Sequence, residues 1–218
     1  MTTLSRLSDL DLASLLCSRV CHDVISPVGA IANGLELMDD PETDAEMKQT
    51  AFEMVKSSAL TATAKLKFCR IAFGASGSAG ALIDMTEAGE VAKGFVGHDK
   101  VILEWNVPRE NRPKQEVKLL LNMLLMALAG IPRGGVVRVA VDGRHFSITA
   151  KGERAKINEA LASALDGSVE LTSLDARLVQ PYYARILAES SALKLSMHML
   201  AEDTVEIKAL PIEAQAAA

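Results

Sequence analysis

Residues 1–75 place apolar side chains at helical spacing over two successive runs of roughly 30 residues each. A capping-box pattern begins each run, at Ser8 and at Thr43, and the runs end near Met38 and Phe73. The segment Asp39-Asp40-Pro41 separates the two helices that this pattern predicts. Because a hairpin of two long helices cannot bury its apolar stripes alone, we expect a four-helix bundle built from two copies of the chain.

The second half of the chain has a different pattern and predicts a second domain. Residues 74–80 are rich in glycine and serine, as is typical of a linker. We therefore predict a helical hairpin domain over 1–77 and an α/β sandwich domain over 81–213, which together make an α+β fold. Asp142-Gly143 between two alternating runs indicates a β-hairpin. The predicted elements of the second domain are strands at 101–105, 136–141, 145–150, 195–201 and 205–210, and helices from Pro113 to Gly130, at about 153–165 and at about 176–190.

Composition and charge exclude several classes of protein. Hydrophobic residues make up 49% and charged residues 23% of the chain, which is typical of a globular protein. A net charge of -5 leaves no basic footprint for nucleic acid. The N-terminus shows no secretory pattern, and the longest apolar stretch, around 119–129, is too short to span a membrane. Cys17, Cys21 and Cys69 lack metal-type spacing and predict buried, reduced thiols, so we expect a cytoplasmic protein.

The clearest chemical pattern is centred on His22, in the first predicted helix. His22 lies about 200° around this helix from Val20 of the apolar stripe, so its imidazole should face solvent. A lone exposed histidine is ordinarily only a solvated side chain, and its position alone does not distinguish that from a function. Small or polar neighbours on the same face leave room for a second protein to approach. These neighbours are Ser18, Ser26, Gly29 and Asn33.

Two residues beside His22 favour a chemical role. Imidazole is largely neutral and nucleophilic at pH 7, which suits phosphoryl transfer. Asp23 could hold the other ring nitrogen or accept its proton, although alone it is an ordinary surface carboxylate. Pro27 lies inside a helical pattern, where proline costs about 3 kcal/mol, and packing does not explain that cost. We interpret the three residues together as a functional set.

This set resembles the H-box of histidine kinases, in which a histidine is followed by an acidic residue and, five places on, by proline. The second half resembles the kinase ATP-binding domain of the GHKL, or Bergerat, fold. Lys118 to Ala127 is similar to its N-box helix, and Ile131 to Gly135 is similar to the stretch that follows. The resemblance covers about residues 8–212 and implies a dimerisation bundle joined to an α/β sandwich.

The departures from the kinase pattern predict a different activity. Met126 stands where the N-box would carry its magnesium-binding asparagine. Gly152, Arg154 and Lys156 align with the G1 box, which would read Asp-x-Gly-x-Gly. The adenine-binding carboxylate and the phosphate-loop glycines are thus missing, and backbone amides of such a loop are what hold nucleotide phosphates. We expect a domain that has the sandwich fold of the kinase domain but does not bind ATP.

The stretch from Ser18 to Leu37 is similar to the ChpT family of bacterial phosphotransferases. This resemblance implies a cell-cycle phosphorelay in an alphaproteobacterium. In such a relay His22 accepts a phosphoryl group from an aspartate in the receiver domain of a hybrid kinase. It then passes the group to response regulators, one of them DNA-binding. The resemblance implies a homodimer with no bound cofactor, and Mg²⁺ is expected in the receiver's own acidic pocket.

Each remaining residue of the predicted site has an assigned role. Arg19 either reaches the phosphoryl oxygens or forms only a surface salt bridge, and Asp23 would orient the imidazole ring. Lys65 and Lys67 on the second helix are interpreted as solvated lysines. The predicted docking residues are Ser18, Ile25, Ser26, Gly29, Asn33 and Leu37.

Two other functions compete with phosphotransfer. An atypical histidine kinase would bind ATP, and the missing G1 box is the sequence feature against it. A non-catalytic dimeric adaptor would bind receivers without transferring phosphoryl, and the set of His22, Asp23 and Pro27 is the feature against it.

Overall fold

The structure is a computed structural model that describes residues 6–74, 80–97 and 100–212. Helices alone precede residue 74, and helices and strands alternate after residue 80, so the predicted α+β class is confirmed. The helices are α1 (Asp9–Asp39), α2 (Ala45–Ala72), α3 (Met85–Val96), α4 (Lys114–Gly130), α5 (Glu159–Asp166) and α6 (Val179–Ser190). The strands are β1 (Leu82–Asp84), β2 (Val101–Asn106), β3 (Asn111–Pro113), β4 (Gly135–Asp142), β5 (His145–Lys151), β6 (Leu193–Ala201) and β7 (Thr204–Pro211).

Both helices of the hairpin begin at capping side chains, with one correction to the prediction. The Ser8 hydroxyl accepts a hydrogen bond from the backbone N–H of Asp11, as an N-cap should. The second helix is capped by Asp44 rather than Thr43, because the Asp44 carboxylate accepts from the N–H of Met47 at 2.8 Å. A carboxylate at this position also interacts favourably with the helix dipole.

α1 and α2 pack against each other through small residues. A β-carbon on Gly34 would lie 2.5 Å from Val55 Cγ2 and 3.2 Å from the carbonyl oxygen of Ala51. Glycine at this position therefore allows the two helices to approach. Pro27 is likewise buried in α1, seven residues earlier on the same side of the helix.

The outer side of the hairpin leaves apolar side chains about half exposed. Val28 and Leu35 form one row on α1, and Phe52 and Leu66 form another on α2. By length and composition, α1 is also the one helix among the described residues that could cross a membrane. Its central turns carry Arg19, His22 and Asp23, and one side of it packs on α2. These features are those of an amphipathic bundle helix.

The second half contains a five-stranded sheet of order β2-β4-β5-β7-β6. β2 pairs parallel to β4, and the other neighbouring strands are antiparallel. The predicted hairpin is confirmed, with Asp142 paired to His145 and Gly143 in the turn at a φ of 55°. A short ladder of β1 with β3 lies outside this sheet.

α4 is the central helix of the core. Every residue from Glu116 to Ala127 is buried, between the sheet and α6. Pro113 precedes the helix instead of lying in its first turn, and Gly130 is its last residue. The alternating strands β4, β5 and β7 turn one apolar face toward α4, so the two layers bury a continuous core.

Three helices differ from the prediction, and the short strands β1 and β3 were not predicted. The sequence analysis missed α3, whose Gly89 and Gly94 weaken the helical pattern. α5 begins at Glu159, after a turn in which Arg154 has a φ of 58°. α6 begins at Val179, because the Asp175 carboxylate accepts from two backbone N–H groups and holds the preceding residues in a turn.

A buried polar network joins the hairpin to the second half. The Asn122 amide of α4 donates to the carbonyl of Ala72 at 3.1 Å, at the last residue of α2. Gln180 of α6 donates to the Asn122 side-chain oxygen at 3.2 Å. At the same end of the hairpin, just before α1 begins, the backbone N–H of Leu7 donates to the Tyr182 hydroxyl. The centre of the predicted linker, 75–79, lies outside the described residues, so the proposed boundary stays a prediction.

Candidate functional site

His22 lies in the middle of α1 with its side chain 58% exposed. Ser18, Ser26 and Asn33 are exposed on the same face, and Gly29 is half-buried there. The helical arrangement therefore presents the imidazole on a low surface, as the spacing predicts.

Asp23 connects His22 to Arg19. One Asp23 oxygen, Oδ2, accepts a hydrogen bond from Arg19 Nε at 2.9 Å. The other, Oδ1, lies 3.6 Å from His22 Nδ1, which is beyond a hydrogen bond but within electrostatic reach. The side chains of Arg19 and Asp23 are only 22% and 16% exposed. Arg19 therefore forms a salt bridge in this structure, and its contact with the phosphoryl oxygens stays a prediction.

Pro27 changes the hydrogen bonding of Asp23. In an α-helix the carbonyl of residue 23 would accept from the N–H of residue 27, and proline has none. The ammonium of Lys65, on α2, donates to this carbonyl instead, at 2.9 Å. The sequence analysis interpreted Lys65 as a solvated lysine, which is wrong. The four-residue spacing of Asp23 and Pro27 signals a carbonyl without a helical donor, although not which residue supplies one.

Below this cluster the cysteines have two environments. Burial raises the pKa of the Cys69 thiol to about 11, with a further contribution from the Asp23 carboxylate, so this thiol stays protonated at neutral pH. Cys17 and Cys21 are exposed on α1, which corrects the expectation that all three are buried. All three are free thiols.

The predicted docking residues surround His22 on α1. Ile25 is 70% exposed and Leu37 is 39% exposed, so both side chains present apolar surface to solvent. These two residues and the small ones named above lie on one side of the helix, and α2 covers the other.

The residues aligned with a kinase nucleotide site are placed by the structure as follows. Met126 and Asn122 are both fully buried, and the Asn122 amide is hydrogen-bonded within the protein. Arg154 adopts the left-handed conformation that glycine favours, which supports its alignment with a G1-box glycine. In the part of the chain that the structure describes, no three His, Cys, Asp or Glu side chains are grouped to hold a metal ion.

Comparisons with known proteins agree with one another. Residues 85–203 match the model of the histidine phosphotransferase C-terminal domain, which covers more than half of the chain. The protein phosphotransferase ChpT of Brucella abortus (strain 2308) is 46% identical over 203 residues, which is 91% of this chain and 95% of that protein. The chain belongs to the ChpT family of protein phosphotransferases. The resemblance drawn from the sequence is thereby confirmed.

A solved structure extends the ChpT-family assignment to the whole fold. A bacterial phosphotransferase determined at 1.7 Å superposes with a TM-score of 0.85 at 42% identity, over 94% of this chain and 98% of that one. Because both halves are included, the hairpin and the sandwich are parts of one family architecture. This chain is therefore a histidine phosphotransferase of a phosphorelay. A phosphotransferase of this family is soluble and acts with kinases and response regulators.

Proposed function

We propose that His22 carries the phosphoryl group in a relay from a hybrid kinase's receiver domain to response regulators. The observation that supports this most is the arrangement around the imidazole. The ring is exposed, and Arg19 holds the Asp23 carboxylate near one of its nitrogens. A nucleophile that must serve two different proteins needs such exposure, and a base or an orienting group beside it is typical of covalent catalysis.

The geometry favours Nε2 as the attacking atom. Nδ1 faces the Asp23 carboxylate, which stabilises a proton on that nitrogen and leaves the Nε2 lone pair free. In the first transfer an Nε2–P bond forms while the bond between phosphorus and the donor aspartate breaks, and its electron pair leaves with the donor carboxylate. The positive charge on the ring is then stabilised by Asp23.

In the second transfer the carboxylate of an acceptor aspartate attacks the same phosphorus. The electron pair of the N–P bond returns to Nε2, and the neutral imidazole is restored. Little covalent chemistry is required of the protein, so catalysis rests mostly on positioning. Mg²⁺ belongs to the acidic pocket of the receiver in this proposal, and no residue of this chain is assigned to it.

We propose that transfer proceeds without ATP. Met126, where a kinase would place a magnesium ligand, is in the core, and Arg154 and Lys156 occupy the positions of phosphate-loop glycines. The residues present therefore do not fit a nucleotide, and we assign no step to one. Exposed thiols at Cys17 and Cys21 also suit the reducing cytoplasm, where we place the protein, and the cell-cycle role is carried over from the family.

The test is a relay assembled from purified components. A receiver labelled on its aspartate should label this protein, and the label should be acid-labile and base-stable, as phosphohistidine is. Addition of an unlabelled second receiver should then remove it. ATP with Mg²⁺ alone should give no label and no thermal shift. Labelling by ATP would show a kinase instead, and absence of label from a phosphorylated receiver that binds would show an adaptor.

We propose that receivers dock on the face formed by Ser18, Ile25, Ser26, Gly29, Asn33 and Leu37. Ile25 is the most exposed of its large side chains and would lie against an apolar helix of the receiver.

Replacing Ile25 with aspartate should raise the half-saturating receiver concentration by about tenfold, because a buried unpaired carboxylate disfavours the complex. The transfer rate at saturating receiver should be unchanged, since Ile25 does not touch the reacting atoms. Titrating the receiver in a rapid-quench assay measures both quantities. A lowered saturating rate with unchanged half-saturation would contradict the docking role.

We propose that the half-exposed apolar rows on α1 and α2 pack against a second copy of the chain. The two residues of the α1 row are seven positions apart and those of the α2 row are fourteen apart, so each pair lies on one side of its helix. A four-helix bundle is the arrangement that buries both rows.

Light scattering should give twice the chain mass, and Phe52→Glu should give a monomer, because a charge in the bundle core is costly. Thr61→Glu is the control, since Thr61 is exposed about 180° around α2 from Phe52 and should leave the dimer intact. A dimeric Phe52→Glu variant, or a monomeric wild type at micromolar concentration, would contradict this arrangement.

A further inference from the structure

The carbonyl of Asp23 is the one point at which α2 bonds to the backbone beside His22 in the described structure. Pro27 removes the donor that this carbonyl would have within α1, and the pyrrolidine ring also crowds the same oxygen. Lys65 supplies a charged donor at 2.9 Å, in a part-buried position. Charge-assisted hydrogen bonds are roughly twice as strong as neutral ones. Pro27 and Lys65 thus act as a pair, because Pro27 removes the helical donor to this carbonyl and Lys65 replaces it.

Asp23 is consequently fixed at two points. Lys65 holds its main-chain oxygen, and Arg19 holds its side-chain oxygen Oδ2. The carboxylate oxygen that remains, Oδ1, is the one 3.6 Å from His22 Nδ1. With both the backbone and the side chain restrained, the distance and direction from this oxygen to the imidazole are set before any receiver arrives.

We propose that Lys65 is a positioning residue for phosphotransfer, which acts by holding the Asp23 backbone that Pro27 leaves without a helical donor. This inference rests on the proposed role of His22. Lys65 does not touch the reacting atoms. It keeps the Asp23 carboxylate at the ring nitrogen that is not phosphorylated, so that the other nitrogen faces the receiver as the nucleophile.

The first measurement is the transfer rate at saturating phospho-receiver. Lys65→Met keeps the aliphatic part of the side chain and removes the donor, and it should slow transfer about tenfold, equivalent to about 1.4 kcal/mol of barrier. The half-saturating receiver concentration should stay the same. Lys65→Arg, which retains a charged donor, should recover most of the rate. Lys67→Met is the matched control, because Lys67 is an exposed lysine of the same helix and should transfer at the wild-type rate.

The second measurement tests whether the carbonyl is the point of action. In a Pro27→Ala chain, the N–H of residue 27 can donate to the Asp23 carbonyl, and Lys65 should no longer be needed. In the chain with Pro27, Lys65→Met should slow transfer about tenfold. In the Pro27→Ala chain, the same substitution should slow transfer by less than about twofold. The ring nitrogen resonances of His22 should shift in Lys65→Met and return in the double variant.

Each outcome decides the inference. An equal loss of rate with proline and with alanine would overturn it, because Lys65 would then act on something other than this carbonyl. An unchanged rate in Lys65→Met, with His22→Ala inactive, would overturn it and leave the proposed function standing. Label on His22→Ala would overturn the proposed function itself. If Lys65→Met alone fails to fold, recovery of folding on adding Pro27→Ala supports the pairing, and failure to recover contradicts it.

Discussion

His22→Ala should accept no phosphoryl label from a phosphorylated receiver, a loss on the order of 10³-fold or more. The variant lacks the nitrogen that bonds to phosphorus, and the nearby Asp23 carboxylate is held by Arg19. Because the side chain is mostly exposed, the free energy of unfolding should change by less than about 0.5 kcal/mol. Receiver binding should persist, since the docking residues remain. Rapid-quench labelling and a binding titration on the same sample measure the two effects separately.

His145→Ala is the matched control for this experiment. His145 is also exposed, but it lies at the start of β5, far along the chain from the hairpin, and its variant should accept label at the wild-type rate. Acid-labile label on His22→Ala would show that another residue is phosphorylated. Loss of label in both variants would indicate an effect of histidine removal unrelated to the site.

Asn122→Ala should lower the free energy of unfolding by about 2–4 kcal/mol. The fully buried amide donates to the carbonyls of Ala72 and Lys118, at 3.1 and 2.8 Å, and accepts from Gln180. Truncation leaves the Ala72 carbonyl without this donor inside the protein and opens a cavity in the core. A change of this size is a large part of the 5–15 kcal/mol that stabilises a typical domain. Urea denaturation monitored by circular dichroism provides the measurement.

The location of the lost bond gives this prediction a second readout. Amide exchange should accelerate most in the last turn of α2, where the Ala72 carbonyl is held, and in the adjacent part of α6. Asn33→Ala is the control, because Asn33 is an exposed asparagine on α1 and alanine favours the helix. Equal stability of the Asn122 and Asn33 variants would show that the network contributes nothing measurable.

Local signals predicted the helices whose ends are fixed by their own residues. Ser8 caps α1 as its pattern indicates, and Gly130 ends α4, because a capping side chain or a terminal glycine acts within one turn. α3 escaped prediction because its two glycines dilute the helical pattern. Gly89 is explained only by packing, since a β-carbon there would lie 2.7 Å from Trp105 Nε1. Packing between distant residues is not visible in local periodicity.

The features of the site also divide into those set by one helix, which the sequence predicts, and those set by packing between helices, which it does not. The exposure of His22 follows from the periodicity of one helix, and it was predicted. The salt bridge of Arg19 to Asp23 spans one turn, and it was among the alternatives. Lys65 was misinterpreted, because its contact depends on how far α2 is shifted along α1, which no pattern within either helix specifies. Likewise Asn122 matches the N-box in sequence, but only its contact with Ala72 shows that its amide now holds two parts of the protein together.

The use of one phosphoryl-accepting ring per chain, as proposed for His22, has a consequence for the order of signalling. Ile25 and the small residues around His22 form one proposed docking surface on one side of α1. In the docking arrangement that we propose, the donor and the acceptor of the phosphoryl group bind this surface in turn, and each excludes the other while it is bound. A donor receiver that has already transferred its phosphoryl group blocks the acceptor until it dissociates. The overall rate of the relay then depends on the dissociation rate of the dephosphorylated donor.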